Sequence, residues 1–107
     1  MAIHPKRIAF TENVTSGCIL PLLGLPFFEG DNLLLSDCEH PGIVAACKEL
    51  ARKKNLTIAI LPVSKLCNGN DKKNETYKTV LKLIDEHIQK NTKLVVLSHL
   101  LWNTGQI

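Results

Sequence analysis

Three short apolar runs set the frame for the chain: "NLLLS" at 32–36, "LTIAIL" at 56–61 and "KLVVLS" at 93–98. None alternates polar with apolar residues, as a strand with one wet face would. Near-continuous apolar strands are covered on both faces, which predicts a parallel sheet. Parallel neighbours need a crossover long enough to bring the chain back, and both gaps supply one. The first, "HPGIVAACKELARKK", repeats Ile43, Val44, Cys47, Leu50 and Ala51 at helical spacing. Pro41 suits its first turn, and Lys53 and Lys54 suit the negative end of its dipole. The second, "NETYKTVLKLIDEHIQKN", sets Tyr77, Val80, Leu81, Ile84 and Ile88 on one face, with Asn74 expected as the cap and Asn91 as the stop. The order is β-α-β-α-β, an α/β chain expected to form a three-layer αβα arrangement around a parallel sheet.

Length and charge narrow the function. At 107 residues the chain is at most one domain, short for an enzyme that walls its pocket on every side. A net charge of +3 with 5% aromatic residues lacks the basic stripe and stacking platform of a nucleic-acid binder. Cys18, Cys38, Cys47 and Cys67 form no CxxC pair, so neither a zinc ribbon nor a thioredoxin-type site is indicated, and reduced, buried thiols are expected. No stretch has the apolar length of a signal peptide or a membrane span, and the chain reads as cytoplasmic. "SKLCNGNDKKNE" at 64–75 reads as a surface loop.

Crossovers of this kind are nearly always right-handed, which gathers the strand C-termini along one edge, where ligands of open α/β sheets bind. "SDCEH" follows the first run and "SHLLWN" the third, so His40 and His99 both fall at that edge. The segment "FTENVTSGC" at 10–18 belongs there too if the preceding "RIAF" is a strand. Its hydroxyls and amides admit two readings. Thr11 or Asn13 can cap a helix, or the free N–H groups of that helix can hold an anion such as phosphate. Pro21, beyond the first turn, is expected to kink or end this helix.

Three turns, "TENVTSG", "DCEHPGIVA" and "LSHLLWNTGQ", in this order and with these elements between them, resemble the fold-type I pyridoxal-phosphate enzymes. The group is the class V aminotransferases that include the cysteine desulfurases, and the motifs look most like those of the cysteine/cystine C–S lyases. The resemblance runs from about Arg7 to Ile107. It implies that residues 1–107 are part of the large, cofactor-binding domain of a PLP-dependent transferase fold, with no second domain. It implies pyridoxal 5'-phosphate as cofactor, with Thr11 and the backbone amides of Glu12 and Asn13 on the phosphate. His40 would stack on the pyridine ring and assist proton transfer during C–S cleavage. Asn103 would approach the ring hydroxyl, although desulfurases carry that asparagine three residues before the glycine, where Trp102 stands here. His99 matches a recurring histidine of structural role.

The family's Schiff-base lysine follows a histidine, and its acid partner for the ring nitrogen lies in an Asp-x-x-Gln turn. Both are expected beyond Ile107, so the chain is expected to be a fragment, inactive alone. The parent would act on cysteine or cystine as a homodimer. An isopenicillin-N-epimerase-like or transaminase parent is the alternative within this chemistry, and a non-enzymatic α/β interaction module the alternative outside it.

Overall fold

A computed structural model describes residues 4–66, 73–99 and 101. After a 3-10 turn at Pro5–Arg7 come α1 (Val14–Gly24), β1 (Asn32–Ser36), α2 (Pro41–Lys54), β2 (Thr57–Leu61), a second 3-10 turn (Val63–Leu66), α3 (Lys73–His87) and β3 (Thr92–Val96). The three strands form one parallel sheet in the order β2-β1-β3. β1 pairs with β2 without a break, from Asn32 opposite Thr57 to Ser36 opposite Leu61. Against β3 the register slips by one residue, because Thr92 faces Asn32 while Leu94 faces Leu33, leaving Lys93 as the extra residue of a bulge.

Side-chain alternation along β1 divides the core in two. Leu33 and Leu35 face α1 and α2 and pack with Leu22, Phe27, Ile43, Cys47 and Val96. Leu34 faces the other way and packs with Cys38, Leu61 and Val63, over which Leu83 and Ile84 of α3 lie. The expected three layers are therefore present. The steps from β1 to β2 and from β2 to β3 run in opposite directions, so crossovers of one hand place α2 and α3 on opposite faces. All three leucines of β1 are fully buried, each worth about 2 kcal/mol of apolar transfer.

Several expectations from the sequence are corrected. Only β1 is covered on both faces; Ile60 of β2 and Val95 of β3 are exposed, because as edge strands they lack a neighbour on one side. The "RIAF" stretch forms no strand: Arg7 ends a 3-10 turn, Ile8 to Phe10 belong to no helix or ladder, and Phe10 is 97% exposed. Pro21 neither ends nor breaks α1, which runs on to Gly24. The bond Pro21 forgoes is to the carbonyl of Gly17, only one turn before the helix stops, so little ladder is lost. Asn74 lies within α3 rather than capping it, and α3 stops at His87, before Asn91. Leu81 and Ile88 are exposed while Leu83 joins Ile84 against the core, so the buried face of α3 is rotated from the one its sequence pattern suggests. Cys38 and Cys47 are buried and Cys18 half-buried, none of the three in a disulfide; Cys67 lies outside the described residues.

Candidate functional site

In a sheet ordered β2-β1-β3 the chain leaves β1 through α2 on one face and enters β3 from α3 on the other. Between the C-terminal ends of β1 and β3 the connections diverge, which opens the crevice where α/β sheets bind ligands. The turn after β1, Asp37 to His40, stands at that point and makes bonds to both sides. Asp37 accepts the Ser64 N–H on Oδ1 at 3.0 Å and the Ser64 hydroxyl on Oδ2, tying the turn to the segment after β2. Glu39 reaches the other way. Its Oε1 accepts the Ser36 hydroxyl at 2.6 Å and the Ser98 N–H at 2.8 Å, and its Oε2 accepts the Ser98 hydroxyl at 2.5 Å, tying the turn to the segment after β3. Ser36 also accepts the Cys38 N–H on its hydroxyl at 3.2 Å.

The two carboxylates differ in setting. Glu39 is 7% exposed, and three donors converge on it from Ser36 and Ser98. Asp37 is exposed. Partial burial acts to raise its pKa, but the hydroxyl and amide of Ser64, followed by the Cys38 thiol and the Val63 amide, outweigh it and hold the Asp37 carboxyl below its ordinary value. Every buried side-chain nitrogen or oxygen among the described residues has a hydrogen-bond partner.

His40 is the N-cap of α2. Its Nδ1 accepts the Gly42 N–H at 3.1 Å, so the proton of the neutral ring sits on Nε2. Gly42 leaves room for that ring: a Cβ there would stand 3.2 Å from Nδ1. The helix-flanking role is thus real, and it aims Nδ1 at the backbone of the first helical turn.

Asn13 is the N-cap of α1, its Oδ1 accepting the Ser16 N–H at 2.9 Å. The Thr11 hydroxyl donates to the Asn13 carbonyl at 3.0 Å and lies under the first turn; a Cβ on Gly17 would come within 2.8 Å of it. Glycine at 17 is what lets the hydroxyl tuck against a helix N-terminus, whose leading amides have no carbonyl within the helix. The capping reading is therefore met by Asn13. Thr11, Glu12 and Asn13 are all exposed. One turn into α1, Cys18 is close enough to the Glu39 carboxylate that, after burial, it is what raises the thiol's pKa. α1 packs along α2, with Cys18 against the core that holds Cys47. Burial first, then Cys18 and Glu39, push the Cys47 thiol up to about 11.

Hydrogen bonds thus join the turn 37–40 to Ser98, beside His99, while residues 11–13 open α1, which packs against α2. Asn103 lies outside the described residues. Among the described residues no group of histidine, cysteine, aspartate or glutamate side chains could hold a metal, and no helix is long and apolar enough to cross a membrane.

With this arrangement in view, the chain matches the family model "Aminotransferase class-V" over residues 1–107. The chain belongs to the class-V aminotransferase family. Two solved structures agree with that assignment. One, the cystine C–S lyase C-DES with its reaction product cysteine persulfide, is 43% identical over 90% of this chain, with a TM-score of 0.75. The other, a C-DES mutant with glycine covalently linked to the PLP cofactor, is 42% identical over 91%, with a TM-score of 0.75. This class-V chain spans 23% of the length of either. No curated protein sequence matches.

Ser36, Asp37, Glu39, Ser64 and Ser98 escape a reading of the sequence. Short polar residues after strands look like ordinary turn formers. The one available signal was the paired "S-D-C-E" and "L-S-H" after two apolar runs, hydroxyl and carboxylate at matching ends of neighbouring strands.

Proposed function

We propose that this chain is part of the large, cofactor-binding domain of a PLP-dependent cysteine or cystine C–S lyase, and that it supplies the phosphate-binding and ring-facing half of the cofactor site. The observation that supports the reading is a pair of polar helix starts on two helices that pack together, Thr11 tucked under the first turn of α1 and His40 capping α2. That cradle suits a phosphate: a hydroxyl, leading helix amides and the positive end of a dipole, with an exposed approach. The residues present fit the group. Thr11 and the amides of Glu12 and Asn13 would bind its phosphate. His40, fixed by its bond to Gly42, would present Nε2–H and a ring face.

When bound, pyridoxal phosphate supplies the electron sink for bond breaking at the α- and β-carbons of an amino acid. The protein's part is to orient the group and to hold or pass a proton at His40 Nε2. No histidine in the 107 residues is followed by lysine, so no attachment role is assigned to any lysine here. For the parent, cysteine or cystine as substrate, a homodimeric state and a cytoplasmic location complete the proposal.

Pyridoxamine 5'-phosphate is the probe of choice, since it has the ring and phosphate but no aldehyde to condense with surface lysines. Its affinity for the chain should fall in Thr11→Val, which deletes the hydroxyl. It should also fall in His40→Asn, which keeps a good helix cap and removes the ring. Affinity unchanged in both variants would overturn the reading.

A further inference from the structure

Glu39 has no place in the reading above. It is a buried carboxylate that accepts three hydrogen bonds, one from Ser36 and two from Ser98. What it does is mechanical. The residue after it is His40 and the residue after its partner Ser98 is His99, so the Glu39–Ser98 bridge lies across the switch point with a histidine following each end. Both Ser98 donors, amide and hydroxyl, meet the one carboxylate, and two bonds to a planar group fix orientation as well as distance. Ser36 Oγ braces the same carboxylate from the last residue of β1, so its position is set by the fully buried central strand rather than by the turn itself.

We propose that Glu39 is the positioning residue of the switch-point site, holding the turn that carries His99 in register with the turn that carries His40. The assignment rests on reading this edge as the ligand edge. The carboxylate acts through geometry, so a neutral group of the same shape serves equally well. Glutamine can keep its oxygen on the Ser36 hydroxyl and the Ser98 amide, while the Ser98 hydroxyl turns to accept from the new NH₂. Alanine keeps none of the three bonds.

The test uses the full chain. Amide hydrogen exchange read by NMR, compared under conditions where the global stability lost in Glu39→Ala is subtracted using Leu34 and Leu35 as the reference, should show Ser98 at least about tenfold less protected than that loss alone explains, with protection restored in Glu39→Gln. Affinities for pyridoxamine 5'-phosphate and for inorganic phosphate, measured side by side, separate positioning from general loosening. The first should weaken by about fivefold or more in Glu39→Ala and recover in Glu39→Gln, and the second should not move. Asn32→Ala, at the far end of the sheet, should leave the ratio of the two alone. If Glu39→Ala does not fold, Ser98→Ala carries the test, because it removes one donor and leaves Glu39 in place; it should shift the ratio in the same direction. Ser98 protection falling no further than that of Leu34 and Leu35 in Glu39→Ala, or lost equally in Glu39→Gln, overturns the proposal, as does an equal loss of both affinities. The expected exchange pattern in a chain that binds neither probe supports the bridge and overturns the cofactor reading instead.

Discussion

The two ends of the sheet solve the same problem with different chemistry. At the N-terminal end Asn32, 2% exposed, donates through Nδ2 to Thr57 at the head of β2 and accepts from Thr92 at the head of β3. One neutral amide joins three strands. Around it the chain uses turn geometry: Gly30 at φ +84° and Asn55 at φ 53° bend back on each other through the Gly30 N–H and the Asn55 carbonyl, and Asn91 donates to the Gly30 carbonyl. At the C-terminal end the same joining falls to two carboxylates in one turn, Asp37 to the β2 side and Glu39 to the β3 side. At the first end the strands are joined by a neutral amide, and the carboxylates nearby, Glu29 and Asp31, serve only the turns around it; at the other end the carboxylates themselves join the strands, with His40 and His99 following. On the proposed reading, the end whose strands are joined by carboxylates is the ligand end.

Breaking each end in turn measures the difference. Glu39→Ala removes three hydrogen bonds to a buried carboxylate and strands the Ser36 and Ser98 donors, and should cost about 3 kcal/mol by urea denaturation. Asn32→Ala loses two side-chain bonds at a buried neutral site and should cost about 2 kcal/mol by the same measurement. A cost for Asn32→Ala exceeding that of Glu39→Ala would mean that the fold leans on the neutral end.

The Asp37 clamp sharpens the contrast through pH. Its folded-state pKa is depressed, so the unfolded chain takes up the proton first as pH falls. The stability it contributes is present above the ordinary aspartate value of about 4 and is lost as pH drops through the lower folded value. Asp37→Asn should flatten that part of a stability-against-pH curve, at a cost of about 1 kcal/mol or less near neutrality because the residue is exposed. Asn32→Ala should shift the curve without changing its slope.

The smallest effect lies beneath the charged end. Cys47, fully buried and with its pKa pushed up to about 11, should resist a thiol reagent at pH 8 in the native chain, while half-buried Cys18 reacts slowly. Removing the Glu39 charge in Glu39→Gln should speed Cys18 only slightly, since burial is the larger cause. A large acceleration would show that the carboxylate, rather than packing, guards the thiols.

What the sequence disclosed and what it hid follow the same division. Apolar runs are local signals, so "NLLLS" gives β1 residue for residue and "HPGIVAACKELARKK" gives α2 with Pro41 at its first position. Edge position is not local: nothing within "LTIAIL" or "KLVVLS" says that a neighbour is missing, and their exposed Ile60 and Val95 were expected to be covered. The candidate site shows the same limit. Asn13 before a helix and His40 before Pro41 can be read from their own neighbours. The Glu39–Ser98 and Asp37–Ser64 bridges span 59 and 27 residues, and pairing across such distances depends on strand order, which the spacing of apolar residues does not encode.

The central claim is that the carboxylate-joined end is the ligand end. An amide chemical-shift map of the full chain with pyridoxamine 5'-phosphate tests it directly. The shifts should gather at Asn13 to Ser16, at Glu39 to Gly42 and at Ser98, leaving Asn32, Thr57 and Thr92 in place. Shifts gathered at Asn32, Thr57 and Thr92, or spread evenly over lysine-rich surfaces, would contradict it.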